Sequence, residues 1–140
     1  MIVLDTEVLA ELLKPEPDPT VMAWLAVQRR GELYTTTVSE AEVAAALASL
    51  PKGRRRDALG QAVARLLGEG LGGRILPFDR AAAAAYGDLT PKRQAAGEAV
   101  TTAVGQVAAI AKARGARLVA TREAAGYLAQ GVKCVDPWAN

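Results

Sequence analysis

The feature that most constrains the fold is a short, wholly apolar segment near the start of the chain. Ile2, Val3 and Leu4 follow one another without a polar residue, and the run stops at Asp5. A strand with one exposed face alternates apolar and polar residues, whereas a strand buried on both faces is apolar throughout. The segment therefore predicts a strand of a parallel sheet that is covered on both faces.

The rest of the chain alternates strand patterns with helix patterns. Further strands are predicted at residues 32–36, 74–78, 117–121 and 133–135, with helically spaced apolar residues between them. This alternation is typical of an α/β domain in which a parallel sheet lies between two helix layers. The length of 140 residues corresponds to one domain, residues 1–140.

Two absences narrow the chemistry. The chain has no histidine and a single cysteine, which excludes a Ser-His-Asp triad, a Cys-His dyad, an imidazole metal ligand and a cysteine-rich zinc site. Any catalysis then depends on carboxylates, hydroxyls, lysine, arginine or a hard metal ion. The sequence also lacks a signal-peptide pattern and a long apolar run, so we expect a cytoplasmic protein that does not span a membrane.

Acidic residues follow the predicted strands at positions where ligands bind in parallel sheets. Asp5 ends the first strand, Glu42 lies on the helix after the second, and Glu123 follows the fourth. Ligands bind beyond the carboxyl ends of such strands, and carboxylates that converge there suit Mg²⁺. The pattern predicts a hard-cation site.

Each of these acids also has a structural explanation. Asp5 is a suitable helix cap, and Glu123 suits the start of a helix. Ser39 followed by Glu42 fits a capping box in which Ser39 is the N-cap. The residues alone leave both interpretations open.

A basic cluster opens the helix after Gly53. It consists of Arg54, Arg55 and Arg56, which fit either a solvated helix start or contacts to phosphates. No glycine-rich motif that cradles a nucleotide phosphate is present. A nucleotide-binding function therefore has no support in the sequence.

Several stretches together resemble a known family. They include Met1-Ile-Val-Leu-Asp5-Thr6, Ser39-Glu40-Ala41-Glu42, Ala120-Thr121-Arg122 and the ending Asp136-Pro137-Trp138. In order and spacing they are similar to the PIN-domain ribonuclease toxins of bacterial VapBC toxin–antitoxin modules (the VapC family), and to the Fit-like branch in particular. The resemblance covers nearly the whole chain.

The resemblance implies a fold, an activity and partners. The fold is a three-layer α/β/α sandwich with a mainly parallel sheet, and the activity is Mg²⁺- or Mn²⁺-dependent endonucleolytic cleavage of RNA. Asp5, Glu42 and Glu123 correspond to family acids that bind the metal and carry catalysis. The partners are a DNA-binding antitoxin that neutralises the toxin and a second copy of the chain in a homodimer.

The sequence departs from the family pattern at the acidic site. The third family acid aligns with Val104, which cannot bind a metal, and the fourth is the longer Glu123. Glu7 occupies the usual asparagine position, and Glu98 lies in the loop before the next helix. We consider Glu7 and Glu98 as acids that could compensate for the missing carboxylate.

Two functions follow from this pattern. In the first, the chain is a metal-dependent ribonuclease toxin, attenuated by Val104, in which Arg122 and the basic cluster of Arg54, Arg55 and Arg56 bind RNA phosphates. In the second, it is a catalytically inactive PIN domain that binds RNA or an antitoxin.

Overall fold

A computed structural model of the chain describes residues 1–97 and 100–139. The described strands are β1 (Ile2–Leu4), β2 (Leu33–Thr36), β3 (Ile75–Leu76), β4 (Leu118–Ala120) and β5 (Cys134–Val135). The first four helices are α1 (Thr6–Leu12), α2 (Pro19–Ala26), α3 (Thr37–Ala48) and α4 (Arg54–Arg65). They are followed by α5 (Arg80–Asp88), α6 (Thr90–Ala96), α7 (Thr102–Arg114) and α8 (Ala124–Leu128).

The sheet is parallel throughout, in the order β3-β2-β1-β4-β5. Strand β1 is its centre, because Ile2 pairs with Leu33 of β2 on one side and with Leu118 of β4 on the other. The predicted apolar strand and the parallel sheet are both confirmed. The carboxyl ends of β1 and β4 lie side by side, so the residues that follow them meet.

Two apolar clusters cover opposite faces of the sheet. Val3 packs with residues of α5, α7 and α8, whereas Ile2 and Leu4 pack with residues of α1, α2 and α4. All three β1 side chains are at most 1% exposed, and burial of each contributes about 1.5–3 kcal/mol. The result is the predicted three-layer α/β/α sandwich.

The start of α3 differs from the prediction. Its N-cap is Thr36, whose hydroxyl accepts a hydrogen bond from the Ser39 amide at 3.1 Å, so the capping box at Ser39 and Glu42 is wrong. Strand β2 runs directly into the helix, and Thr36, its last residue, has the extended backbone that an N-cap requires. Glu42 is therefore free for another role.

Two smaller features complete the comparison with the sequence. The third strand is only two residues long, Ile75–Leu76, within the predicted 74–78. Among the residues that the structure describes, no helix is long and apolar enough to cross a membrane.

Candidate active site

Asp5 lies at the junction of β1 and α1. It is the N-cap of α1, and its carboxylate accepts a hydrogen bond from the Val8 amide at 3.3 Å. Its own amide donates to the carbonyl of Ala120, the last residue of β4, at 3.2 Å. Asp5 is 6% exposed. Its capping bond confirms the structural interpretation, and its position keeps the chemical one open.

Burial changes the protonation of Asp5. The loss of water raises the pKa of its carboxyl to about 6, and the nearby Glu123 charge adds to this effect. Hydrogen bonds from the Thr121 hydroxyl and the Val8 amide oppose the shift. The charged form of a buried carboxylate is destabilised by the loss of water and by a neighbouring negative charge. A bound cation would offset both effects.

Thr121 connects Asp5 to the segment that follows β4. Its hydroxyl accepts a hydrogen bond from the Glu123 amide at 2.8 Å and donates to Asp5. Glu123 itself is exposed and directly precedes α8. The strand end, the threonine hydroxyl and the helix start thus bring Asp5 and Glu123 to one edge of the sheet, as predicted.

Glu7 joins the same group. Burial raises the pKa of its carboxyl, the Asp5 charge raises it further, and its carboxyl shares a hydrogen bond with that of Glu123. The positive charge of Arg122 acts in the opposite direction. Of the two acids considered as compensating, Glu7 lies at the site. Glu98 lies outside the described residues.

Glu42 is held by a different neighbour. Its carboxylate accepts a hydrogen bond from the Thr6 hydroxyl at 2.6 Å. Because that hydroxyl has one proton, the fully buried Ser39 hydroxyl, 3.0 Å away, must donate to Thr6. Thr6 follows Asp5 in the chain, so this bond links Glu42 of α3 to the residue next to Asp5.

Beneath these acids lies the buried Tyr127, which is 1% exposed. The pKa of its hydroxyl is raised by burial first, and then by the negative charges of Asp5, Glu123 and Glu42. The charges of all three predicted acids therefore act on one buried hydroxyl.

Val104 is the position that the resemblance aligns with the third family acid. It lies in the first turn of α7, where its amide donates to the Thr101 hydroxyl at 3.2 Å. Its side chain is 7% exposed and belongs to the apolar cluster that includes Val3 and Tyr127. The first turn of α7 therefore contributes an apolar contact where a carboxylate is expected.

The acidic group is too open to form a complete metal cage. Within residues 1–97 and 100–139, no three acidic or cysteine side chains converge tightly enough to hold a metal ion by themselves. Mg²⁺ requires only one or two protein carboxylates when waters and substrate phosphates supply its other ligands. The carboxylates of Asp5, Glu7 and Glu123 satisfy that smaller requirement.

The predicted arginines divide into two groups. Arg122 lies beside the acids, and its guanidinium carbon is 3.8 Å from the centre of the Trp138 ring. Arg55 lines a groove of about 680 Å³ that begins at Thr6 and Glu42 and continues between α1, α3 and α4. In the described structure, Arg54 and Arg56 are not among the residues that line this groove.

Sequence reasoning placed Thr6, Ser39 and Thr121 near the strand ends but did not predict that they hold the acids. Their hydroxyls carry no charge, so a pattern of acids does not reveal this role. The available signal is position. Thr121 directly follows β4, and Thr6 follows Asp5, the first residue after β1. Trp138 packs against the cluster around Ile2, and the guanidinium of Arg122 lies over its ring.

The chain is similar to known proteins along almost its full length. A model of the PIN-domain family matches residues 2–125. VapC ribonuclease Y4jK of Sinorhizobium fredii is 41% identical over 99% of this chain and 98% of its own length. Toxin FitB of Neisseria gonorrhoeae is 33% identical over 99% of both chains.

Solved structures agree with the sequence relatives. The structure of FitAcB from Neisseria gonorrhoeae contains a chain with a TM-score of 0.88 and 33% identity, and the match covers 99% of both chains. A structure of FitAB bound to a DNA fragment gives a TM-score of 0.89 at the same identity, over 99% of this chain and 96% of that one. The likeness thus extends from the sequence to the arrangement of the sheet and helices.

Proposed function

Because the chain belongs to the PIN-domain family, we propose that it is the toxin of a type II toxin–antitoxin module and cleaves RNA with a divalent metal. The observation that carries the proposal is that Asp5 and Glu123 follow the carboxyl ends of the paired strands β1 and β4, and that the carboxyl of Glu7 shares a hydrogen bond with that of Glu123. It is supported by 41% identity to a VapC ribonuclease over 99% of the chain.

The donor set fits Mg²⁺ or Mn²⁺. Asp5, Glu7 and Glu123 offer carboxylate oxygens that repel one another, and a hard cation would relieve that repulsion. Asp5 and Glu123 would hold the ion, and Glu7 would supply a further oxygen. Such an ion lowers the pKa of bound water and stabilises the negative charge that develops on a phosphate.

The protein's own residues position the substrate around that ion. Thr6 holds the Glu42 carboxylate through the 2.6 Å hydrogen bond, so Glu42 orients a water or a metal ligand. The guanidinium of Arg122 and the basic cluster of Arg54, Arg55 and Arg56 would bind RNA phosphates on either side of the acids. Bidentate contacts from arginine to phosphate would hold the RNA without recognising its base sequence.

Cleavage of single-stranded RNA tests this proposal directly. We expect slow cleavage by the wild type with Mn²⁺, and loss of that cleavage in Asp5→Asn, because asparagine keeps the helix cap but binds a cation poorly. Asp88→Asn, an exposed aspartate at the end of α5, is the matched control. Equal cleavage by wild type and Asp5→Asn would reject the assigned site.

Val104 favours a second candidate, an inactive PIN domain that binds RNA or an antitoxin. Loss of one ligand or of its support commonly costs about 10–100-fold in metal affinity or activity. This candidate predicts that neither wild type nor Val104→Asp cleaves RNA, while both still bind it. Weak wild-type cleavage that increases in Val104→Asp would instead favour the attenuated toxin.

The proposed partners follow from the family. We propose a small DNA-binding antitoxin, a homodimer of this chain, and action on cytoplasmic RNA. The groove that begins at Glu42 is the suggested path of an antitoxin segment, because an occupant there would also cover the acids. Leu47 lines this groove, so Leu47→Arg should weaken neutralisation by the antitoxin and leave cleavage intact. Sedimentation measures the oligomeric state.

A further inference from the structure

Arg122 is stacked on an aromatic ring at the edge of the acidic site. It lies between Thr121 and Glu123 in the segment after β4, and its guanidinium carbon is 3.8 Å from the centre of the Trp138 ring. The Arg122 side chain is exposed, and its charge acts on the Glu7 carboxyl. A guanidinium that stacks on a ring through its face keeps the N–H groups at its edge available as hydrogen-bond donors.

Two hydrogen bonds hold Trp138 in place. The indole N–H of Trp138 donates to the Glu11 carboxylate at 3.3 Å, and the Trp138 amide donates to Asp136 at 2.9 Å. Glu11 is only 5% exposed and also accepts hydrogen bonds from the Asp18 amide and the Lys14 ammonium, each at 3.0 Å. A buried, fully bonded carboxylate thus sets the orientation of the tryptophan.

This arrangement exceeds what packing requires. An apolar side chain at position 138 would fill the space beside the cluster around Ile2 without a hydrogen bond to Glu11. Instead, the hydrogen bond from Trp138 to Glu11 and the contact of Arg122 with the Trp138 ring connect three separate parts of the chain: α1, the segment after β4 and the C-terminal segment. What they jointly determine is the position of one guanidinium beside the acids.

We propose that Trp138 is a positioning residue that holds Arg122 at the edge of the acidic site, where its N–H groups bind a phosphate of single-stranded RNA. The inference rests on the proposed function for its ligand. An arginine without the ring is free to fold onto Glu7 or Glu123, where it would neutralise a carboxylate needed for the metal. Stacking prevents this and keeps the donors available for phosphate.

The salt dependence of RNA binding tests the proposal. The assay is fluorescence anisotropy of a labelled single-stranded RNA in EDTA, where metal-dependent cleavage does not proceed, from low to high salt. Loss of one phosphate contact lowers the slope of log affinity against log salt by about 0.7. The variants are Arg122→Ala, Trp138→Leu, the double variant and Trp138→Phe. The matched control is Trp24→Phe. Trp24 is the chain's other tryptophan, and it lies on α2 and packs against the cluster around Ile2.

The proposal predicts a specific pattern among these variants. Arg122→Ala and Trp138→Leu each lose about 0.7 of slope, and the double variant loses no more than either one. Trp138→Phe retains the wild-type slope because phenylalanine keeps an aromatic face, although it cannot bond Glu11. A merely structural tryptophan would lower affinity in Trp138→Leu without changing the slope.

The possible failures are distinguishable. If the wild type binds RNA and Trp138→Leu keeps its slope, the positioning role is wrong and the proposed function stands. If the effects of Arg122→Ala and Trp138→Leu add in the double variant, the two residues act separately and the inference is overturned. If the wild type binds no RNA, the RNA ligand of the proposed function fails, and the role given to Arg122 fails with it.

Discussion

Replacing Val104 by aspartate restores a carboxylate to the first turn of α7. Val104 is 7% exposed within an apolar cluster, so loss of its buried side chain costs about 1.5–3 kcal/mol. An acid in the first turn of a helix regains about 0.3–1 kcal/mol. Because the new carboxylate is also desolvated, we expect Val104→Asp to be less stable than the wild type by about 2–3 kcal/mol without metal.

A divalent metal should reverse much of this loss. If the added ligand raises metal affinity by about 10–100-fold, saturating Mn²⁺ stabilises the variant by about 1.4–2.7 kcal/mol more than it stabilises the wild type. Thermal unfolding in EDTA and in Mn²⁺ measures both quantities. RNA cleavage at the same Mn²⁺ concentration should be faster in Val104→Asp than in the wild type.

Val104→Asn is the control for this experiment. Asparagine matches aspartate in size and polarity but carries no charge, so it should lose stability without gaining from Mn²⁺. The reasoning is refuted if Val104→Asp remains folded and gains no more from Mn²⁺ than Val104→Asn. It is also refuted if added metal affinity leaves the cleavage rate unchanged.

Three further predictions follow from the geometry. Thr6→Val removes the hydroxyl that bonds Glu42 at 2.6 Å, so cleavage should fall while Thr6→Ser preserves it, as measured by initial rates. Burial raises the pKa of the Cys134 thiol to about 11 from 9.0, so native protein should react with iodoacetamide about a hundredfold more slowly than urea-unfolded protein; equal rates would contradict this. Gly105→Ala would place its methyl 3.1 Å from side chains of α5 and α6, and should lower stability by about 1 kcal/mol, whereas the unobstructed Gly87→Ala should not lower it.

The fold was predictable where burial alone decides the structure. An apolar strand such as Ile2–Leu4 has one stable environment, the interior of a sheet covered on both faces. Its place between β2 and β4 is decided by strand pairing. The third strand was predicted to be longer than it is. It lies at the edge of the sheet and pairs only with β2, at Ile75 and Leu76, and the sequence does not show where that pairing ends.

The helix cap of α3 was not predictable from residue types. Four hydroxyl residues, Thr35, Thr36, Thr37 and Ser39, lie close together, and each is an acceptable N-cap. The end of β2 decides between them, since it leaves Thr36 with extended backbone. The choice depends on strand pairing, which is a property of the whole sheet.

The acids of the site could be predicted from the sequence, whereas the contacts that hold them and Arg122 in place could not. Asp5, Glu42 and Glu123 carry charge and follow strands, so their convergence could be expected. The hydrogen bond from Thr6 to Glu42 joins residues on different helices, and the stacking of Arg122 on Trp138 joins the end of β4 to the C-terminal segment. Contacts of this kind depend on tertiary structure and leave no local pattern.

The metal dependence of RNA cleavage tests the central claim most directly. The measurement is the initial rate of cleavage of a single-stranded RNA as Mn²⁺ is titrated into EDTA-treated wild type, with Asp5→Asn in parallel. We predict no cleavage in EDTA, a rate that rises with Mn²⁺ toward saturation, and no such rise in Asp5→Asn. A wild-type rate that is independent of Mn²⁺, or a rise of equal size in Asp5→Asn, would contradict a metal-dependent site built on these carboxylates.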